Sequence, residues 1–519
     1  MVLASSVPYL WFWLQTPPGH RYTWILPPYP EDSFGYMAWS QQAAHGRLLF
    51  QVKYTALPQT PFLFHPFFLV CGWLSRLLAV DIGIVHWAVK AIGVVLFFLV
   101  FYHYNDWLGL GRVQSVVASV LLGVSSGFGT LFVHWDLVRR WQIAPADLWM
   151  PEVSTYWSLL WNPLFPYSLT LILLIICWLD RGTRSGKTLD FWLGGLATGV
   201  LALVHPYALP MLAAFAVILG TARRGRSALG LLVRFFLASF PFVLYVALLS
   251  AFEPVIAQHS AHGEMRSPTL ASYLLGFGLP LLICAAGLVA DQGHWLKRYW
   301  QVAAWFLLSL SFAYVPFWFQ RKLIFGAQIP ICILSGICVG FFLDKLKSQK
   351  TQRLALALAA VACAPLLLAT SIYQLAYARQ EIRNNVSDTY YISDEMLAGL
   401  TFLKDHSQPN DVVFATGQTS RLIPAFSGNT VLWGHWAMSV DLDARKQWYA
   451  EMFNQEDDWQ DPRRSEQFWG TGIEYIYADG ELRKSIEQAP ERWAVILLDA
   501  DKVFSNATVE IFRRHNRQP

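Results

Sequence analysis

The residues best suited to chemistry are carboxylates and cation pairs set in polar stretches between long apolar runs. Glu31 and Asp32 stand in Pro30-Glu31-Asp32-Ser33-Phe34-Gly35-Tyr36, after one short apolar segment and before about ten more. Glu152 lies in Trp149-Met150-Pro151-Glu152-Val153-Ser154-Thr155-Tyr156, with Arg139 and Arg140 upstream, and Arg321-Lys322 occupy a very short turn between two late runs. A carboxylate within hydrogen-bond reach of a hydroxyl can take its proton. A cation pair can hold an anionic leaving group such as a phosphate. Each group also has a plainer reading. Glu31 and Asp32 could be a solvated pair or a helix N-cap, since 34–44 looks helical. Glu152 could pair with Arg139 or Arg140 at the surface, and Arg321 and Lys322 could snorkel to headgroups.

The elements that must position these groups are helices in lipid. The 519-residue chain is 55% hydrophobic and 14% charged, against about 25% charged in soluble domains, which predicts a polytopic α-helical membrane protein. Many of its tryptophans, such as Trp24, Trp107, Trp135 and Trp318, mark the ends of runs, as in an aromatic interfacial belt. A formal charge of +4 is too small to imply a nucleic-acid partner. All six cysteines (Cys71, Cys177, Cys284, Cys332, Cys338 and Cys363) fall in apolar runs, which excludes a disulfide framework or a Cys-ligated metal.

Runs at 2–14, 83–102, 113–133, 166–179, 190–204, 206–220, 229–251, 270–290, 299–318, 324–343 and 354–377 predict about 11 spans. The first is shorter than the ~17–25 residues of a spanning helix and lacks a signal peptide's basic flank; it is read as a first span. Basic residues occupy alternate linkers: Arg112; Arg181, Arg184 and Lys187; Arg223, Arg224 and Arg226; Lys297 and Arg298; Lys345, Lys347, Lys350 and Arg353. The positive-inside rule places them in the cytoplasm. The loop 15–82, the second loop 134–165, the loop 252–269 and the C-terminal region then face the other side. Residues 62–80 are apolar enough to span, but a span there would invert every later loop, so they are expected as a helix lying in the outer interface. The short runs 190–204 and 206–220 meet at His205-Pro206-Tyr207, as broken helices do beside a cavity. From about 380 charges become common. A helix at 396–403 and strands at 411–415, 472–477, 493–497 and 508–512 predict a small α/β domain. The expected division is 1–379 transmembrane and 380–519 extracytoplasmic.

The pattern Asp32-x-x-x-Tyr36-x-Ala38 followed by Gly46-Arg47-Leu48 resembles the first external loop of the GT-C superfamily of integral-membrane glycosyltransferases. The stretch from Pro151-Glu152 to Asn162-Pro163-Leu164-Phe165, the triplet His205-Pro206-Tyr207, the run from Gln320 to Pro330 and the turn Gly434-His435-Trp436 are similar to stretches of related bacterial proteins. The resemblance spans nearly the whole chain. It implies transfer of a sugar from a polyprenyl-phosphate-linked donor to a hydroxyl of a glycan, lipid or protein acceptor, with inversion, in a bacterial plasma (inner) membrane. The C-terminal domain would lie on the periplasmic or extracellular side. Asp32 takes the position of the base, with Glu31 or Glu152 in support; Arg321 and Lys322, with Arg139 and Arg140, would hold the departing phosphate. Tyr36, His205, Tyr207 and Trp436 are pocket candidates, Trp436 as a stacking surface for a sugar ring. Ser33 stands where many members carry a second acid, so no metal-ligand set is assigned, although Asp32 with Glu152 could hold a divalent cation such as Mg or Mn. Two other classes stay open. A lipid or glycan transporter would favour internal repeats and midplane charges, and an inactive envelope-assembly scaffold would not need the Asp32 carboxylate.

Overall fold

A chain in lipid must satisfy its backbone N–H and C=O groups internally, and apolar runs do so as helices. The computed structural model describes residues 2–257, 265–346, 348–384, 389–453 and 463–515. Among them, six helical stretches are long and apolar enough to cross a membrane: Ile82–Trp107, Phe165–Ser185, Pro206–Phe252, Leu270–Ala290, Gln320–Asp344 and Gln349–Asn384. Pro206–Phe252 holds two α-helices, Leu209–Arg224 and Leu229–Phe252. Val2–Leu14, Pro66–Leu78, Arg112–Val124, Thr188–Val204 and Trp300–Phe312 are shorter apolar helices. The protein is a multi-pass membrane protein with a small sheet near its C-terminus. Lys347, and residues 258–264 of the loop 252–269, lie outside the described residues.

Three expected runs are reshaped by local chemistry. The run 113–133 breaks after Val124 and resumes as Gly129–His134. Ser126 turns its N–H and its hydroxyl to the Leu367 carbonyl, at 2.8 and 2.9 Å. Gly127 packs so tightly on Gly276 that a Cβ would stand 2.4 Å from that carbonyl oxygen, and the helix Leu270–Ala290 kinks beside it at Gly278, φ 56°. The run 299–318 stops being helical at Phe312, ahead of Pro316, which has no N–H to donate. The segment 62–80 forms the helix Pro66–Leu78, 13 residues long. At 1.5 Å per residue it spans about 20 Å, short of a hydrocarbon core of about 30 Å. It buries Phe67, Phe68 and Cys71 and exposes Val70, Trp73, Leu77 and Leu78.

The chain forms two compact units. One comprises Met1–Pro8, Trp87–Leu248 and Gly263–Arg379; the other comprises Tyr9–His86, Leu249–His262 and Gln380–Pro519. In the first, helices pack in pairs, and one end is tied together by charge. Asp180, fully buried, accepts Trp107 Nε1–H at 2.7 Å and pairs with Arg223 Nη1 at 2.6 Å and Arg184 Nε at 3.2 Å. Arg181 pairs with buried Asp190, and Arg224 donates to the Thr183 and Arg184 carbonyls. Two of the basic linkers that the sequence assigns to one side thus meet at one end of this helical unit.

In the second unit the first loop packs with the C-terminal region. Strand β1 (His20–Tyr22) pairs antiparallel with β2 (Tyr391–Ser393). A five-stranded sheet follows: β3 (Val412–Phe414), β4 (Thr430–Val431), β5 (Ile473–Ala478), β6 (Ala500–Ser505) and β7 (Glu510–Arg514). Its order is β4-β3-β5-β7-β6, with β4, β3 and β5 parallel and β7 and β6 antiparallel. The expected strand at 493–497 is instead the helix Pro490–Leu497. Pro490 suits a first helical turn, and Trp493 and Ile496, one turn apart, are both buried. Edge strand β6 was not foreseen; Asp501, Lys502 and Ser505 face solvent, which hides the apolar alternation.

Replacing Asp180 with Asn removes the counter-charge of two arginines at a buried site. The expected cost is about 3–5 kcal/mol, seen as lower yield and earlier thermal unfolding of the detergent-solubilised protein. Unchanged unfolding would show that the cluster holds nothing together.

Candidate functional site

The acidic helix is the best-positioned part of the second unit. Helix Pro30–Ala44 opens with proline in its first turn, so Glu31 and Asp32 lie inside that turn rather than at an N-cap. There the unpaired backbone N–H groups favour negative charge. The helix packs on the helix Thr419–Phe426, with Phe34 and Phe426 rings 6.4 Å apart. Glu31 Oε1 pairs with Arg421 Nη1 at 2.8 Å. Asp32 Oδ1 lies 3.6 Å from His435 Nε2, beyond hydrogen-bond length. The Asp32 side chain is 31% exposed and that of His435 2%.

The tautomer of His435 follows from its contacts. Nδ1 accepts the backbone N–H groups of Ala437 and Met438 at 3.1 and 3.2 Å. In the neutral ring Nε2 therefore carries the proton, and it is Nε2 that faces Asp32. Ser439 Oγ accepts the N–H groups of Gly434 and His435, both at 3.0 Å, which locks the turn. Gly434 has no room for a side chain, since a Cβ would stand 2.6 Å from the Ser420 carbonyl oxygen.

The sheet explains how distant residues meet. Arg421 follows the carboxyl end of β3 and His435 that of β4, and the loops at strand carboxyl ends are where α/β sheets place their sites. Residues of the first loop run alongside: Val431 N–H donates to the Lys53 carbonyl at 2.9 Å. Buried Tyr54 sets its ring 5.5 Å from that of His435 and donates its hydroxyl to the Arg421 carbonyl at 3.1 Å. Burial holds the Tyr54 phenol well above its usual pKa, so it stays neutral. A cavity of about 550 Å³, lined by His45, Arg76 and Lys404 among others, touches the later turns of the acidic helix but neither Glu31 nor Asp32.

In the first unit a second cluster forms around Lys322. The 3-10 turn Pro151–Val153 carries Glu152, 4% exposed, whose Oε1 is 3.9 Å from Lys322 Nζ. Lys322 lies 5.0 Å from the Tyr207 ring centroid, and the Arg321 guanidinium 5.5 Å from that of Trp149. His205 is buried between Phe165, Tyr207 and Phe325, with ring centroids 5.4, 4.9 and 4.9 Å away. Gln328 fixes the loop by accepting Thr155 N–H at 2.6 Å and donating to the Ser125 carbonyl at 3.2 Å.

The sequence-predicted residues thus sort into groups. Glu31, Asp32 and the turn bearing Trp436 share one unit; Glu152, Arg321, Lys322, His205 and Tyr207 share the other. Arg139 pairs with Asp136 at 2.8 Å on an exposed helix, and the described contacts join neither it nor Arg140 to Glu152 or Lys322. Tyr36 stacks on Phe68 at 5.1 Å, within an aromatic cluster. Arg421 and Tyr54 escaped the sequence reading, because nothing local marks an arginine or tyrosine whose partner lies elsewhere in the chain. Among the described residues no three His, Cys, Asp or Glu side chains converge on one point. The donor set near Asp32 suits a hard divalent cation poorly, since a guanidinium already holds Glu31 and an imidazole N–H faces Asp32.

No protein-family model matches the sequence, and no curated protein matches it. The fold does have relatives among solved structures. The oligosaccharyltransferase of Archaeoglobus fulgidus, tethered to an acceptor peptide containing the NVT sequon, superposes with a TM-score of 0.54 at 13% identity, over 100% of this chain and 74% of that one. The same enzyme with Zn and sulfate gives 0.51 at 12% identity, over 99% and 73%. Arabinofuranosyltransferase AftD from Mycobacteria gives 0.52 at 16% identity, over 99% of this chain and 40% of that one. At these identities the likeness is one of architecture: the chain has a GT-C fold.

The loop carrying Glu152 rests on Asp147, which is buried and accepts Gly129 N–H at 3.3 Å, while its carbonyl accepts Gln374 Nε2 at 2.5 Å. Burial pushes the Asp147 carboxyl up to about 7. A raised carboxylate favours the folded state fully below its unfolded value near 3.8, and this contribution is lost as pH climbs through 7. Asp147→Asn should therefore gain thermal stability relative to wild type as pH rises from 4 to 8. A gap that stays constant, or narrows, would contradict the burial argument.

Proposed function

We propose that this chain transfers a sugar from a polyprenyl-phosphate-linked donor to an acceptor hydroxyl, with inversion, at the non-cytoplasmic face of a bacterial plasma membrane. The observation that carries the reading is the setting of Asp32: a partly exposed carboxylate in a helix's first turn, facing the protonated nitrogen of a buried histidine, in a chain of GT-C fold. Its neighbour Glu31 is held by Arg421.

In this mechanism the Asp32 carboxylate takes the acceptor's hydroxyl proton as the oxygen attacks the anomeric carbon. The bond from that carbon to the phosphate oxygen breaks, and polyprenyl phosphate leaves with the electron pair. Direct attack inverts the anomeric centre. The leaving phosphate needs cations to take up its charge, the role that the family resemblance implies for Arg321 and Lys322; Glu152 Oε1 lies 3.9 Å from Lys322 Nζ. His435 Nε2–H faces Asp32 at 3.6 Å. No step passes through a metal ion.

The test is transfer of radiolabelled sugar from a panel of polyprenyl-phosphate sugars into membrane extracts, comparing wild type with Asp32→Asn. Wild type should label a product, and the variant should lose about 10²–10⁴-fold of that rate while unfolding at the same temperature. Undiminished transfer by the variant would remove Asp32 from the base position.

A further inference from the structure

The unit that carries the acidic helix also holds a small cavity of about 250 Å³, lined by Trp436, Asp441, Leu442, Asp443 and Ala444. Trp436 is 49% exposed. Its ring lies nearly parallel to that of His435, 20° between planes and 6.2 Å between centroids. The turn that carries it is rigid, because Ser439 Oγ and His435 Nδ1 each accept two of its backbone N–H groups. The opposite wall is the start of the helix Leu442–Met452. Asp441 precedes it in a left-handed conformation, φ 53°. Asp443 lies in the first turn and is exposed.

We infer that this cavity is a sugar subsite, and that the acceptor is a glycan whose ring rests on Trp436 while its hydroxyl meets Asp32. The inference rests on the transferase reading and names its acceptor class. An indole face matches the apolar C–H face of a sugar ring. Carboxylates beside it accept hydroxyl protons in charge-assisted hydrogen bonds. The volume equals that of roughly eight waters at about 30 Å³ each and falls below the ~300 Å³ where drug-sized pockets begin, so it suits a single ring. Asp443 disfavours a phosphate or an acidic peptide, while Arg445 offsets part of the charge of Asp441. An isoprenoid or acyl chain would find only Leu442 and Ala444 to line it. The subsite also lies next to the chemistry: Trp436 adjoins His435, whose Nε2 is 3.6 Å from Asp32.

The test uses the full chain in a sugar-free detergent. Saturation-transfer NMR and calorimetry are run with methyl hexosides, methyl pentosides and their disaccharides, with choline as a cationic control for the same aromatic and acidic lining. At least one saccharide should bind wild type. Trp436→Ala should weaken it about tenfold, Trp436→Phe should restore most of that loss, and Asp443→Asn should weaken it. Saccharide binding indifferent to Trp436→Ala, binding of choline alone, or no saccharide bound would each overturn the inference. Transfer separates the two readings. If Asp32→Asn is inactive while Trp436→Ala keeps its KM for every acceptor, the transferase stands and the subsite falls. If saccharide binding depends on Trp436 but Asp32→Asn transfers normally, the subsite stands and the base assignment falls.

Discussion

The geometry of the acidic helix depends on one buried ammonium. Lys53 Nζ, nearly inaccessible to solvent, donates to the Pro409 carbonyl at 2.7 Å, to Asn410 Oδ1 at 2.9 Å and to Thr430 Oγ1 at 3.3 Å. Desolvation pushes its pKa down to about 8, so the group is still charged near neutral pH and must keep all three acceptors. Removing an acceptor would strand a buried charge, whereas a slip in register would cost all of them together. The residue's own carbonyl meanwhile accepts from β4. First loop and sheet are thereby locked side by side, which brings Tyr54 under His435 and Arg421.

Given that lock, two adjacent carboxylates acquire different characters. Glu31 meets a guanidinium at ion-pair distance, while Asp32 meets a neutral imidazole N–H beyond hydrogen-bond distance. Neighbouring acids in unlike surroundings are how one site divides its roles. The arginine neutralises one acid, and the histidine ring faces the other. Helical spacing enforces the split, because successive residues of a turn point about 100° apart.

What could be read in advance follows the range of the physics. The apolar helices, the short helix within 62–80 and the helix at 396–403 were legible because hydrophobic periodicity is local. Asp32 draws notice in the sequence because an acid beside an apolar run is conspicuous. Arg421 and Tyr54 were not, since their significance lies in partners supplied by the first loop and by the sheet. The helix Pro490–Leu497 was misread as a strand because a short apolar run has no period of its own; Pro490 was the one local clue. The broken run at Ser126 and Gly127 was hidden too, as its cause is the approach of Gly276 and the Leu367 carbonyl.

The first unit uses the same residue types in opposite ways at its two ends, and the helix Phe165–Ser185 links them. Near its C-terminal end Arg181, Arg184 and Arg223 are neutralised by Asp180 and Asp190. Those ion pairs are spent on structure. Near Phe165, Lys322 and Arg321 lie against the rings of Tyr207 and Trp149, and Glu152 stands off Lys322 at 3.9 Å. A ring's quadrupole steadies a cation without cancelling its charge, so this end keeps positive potential at a place with few internal claims on it. The arrangement suits an anion that arrives, is held and must leave again, as a lipid phosphate must when its sugar is transferred.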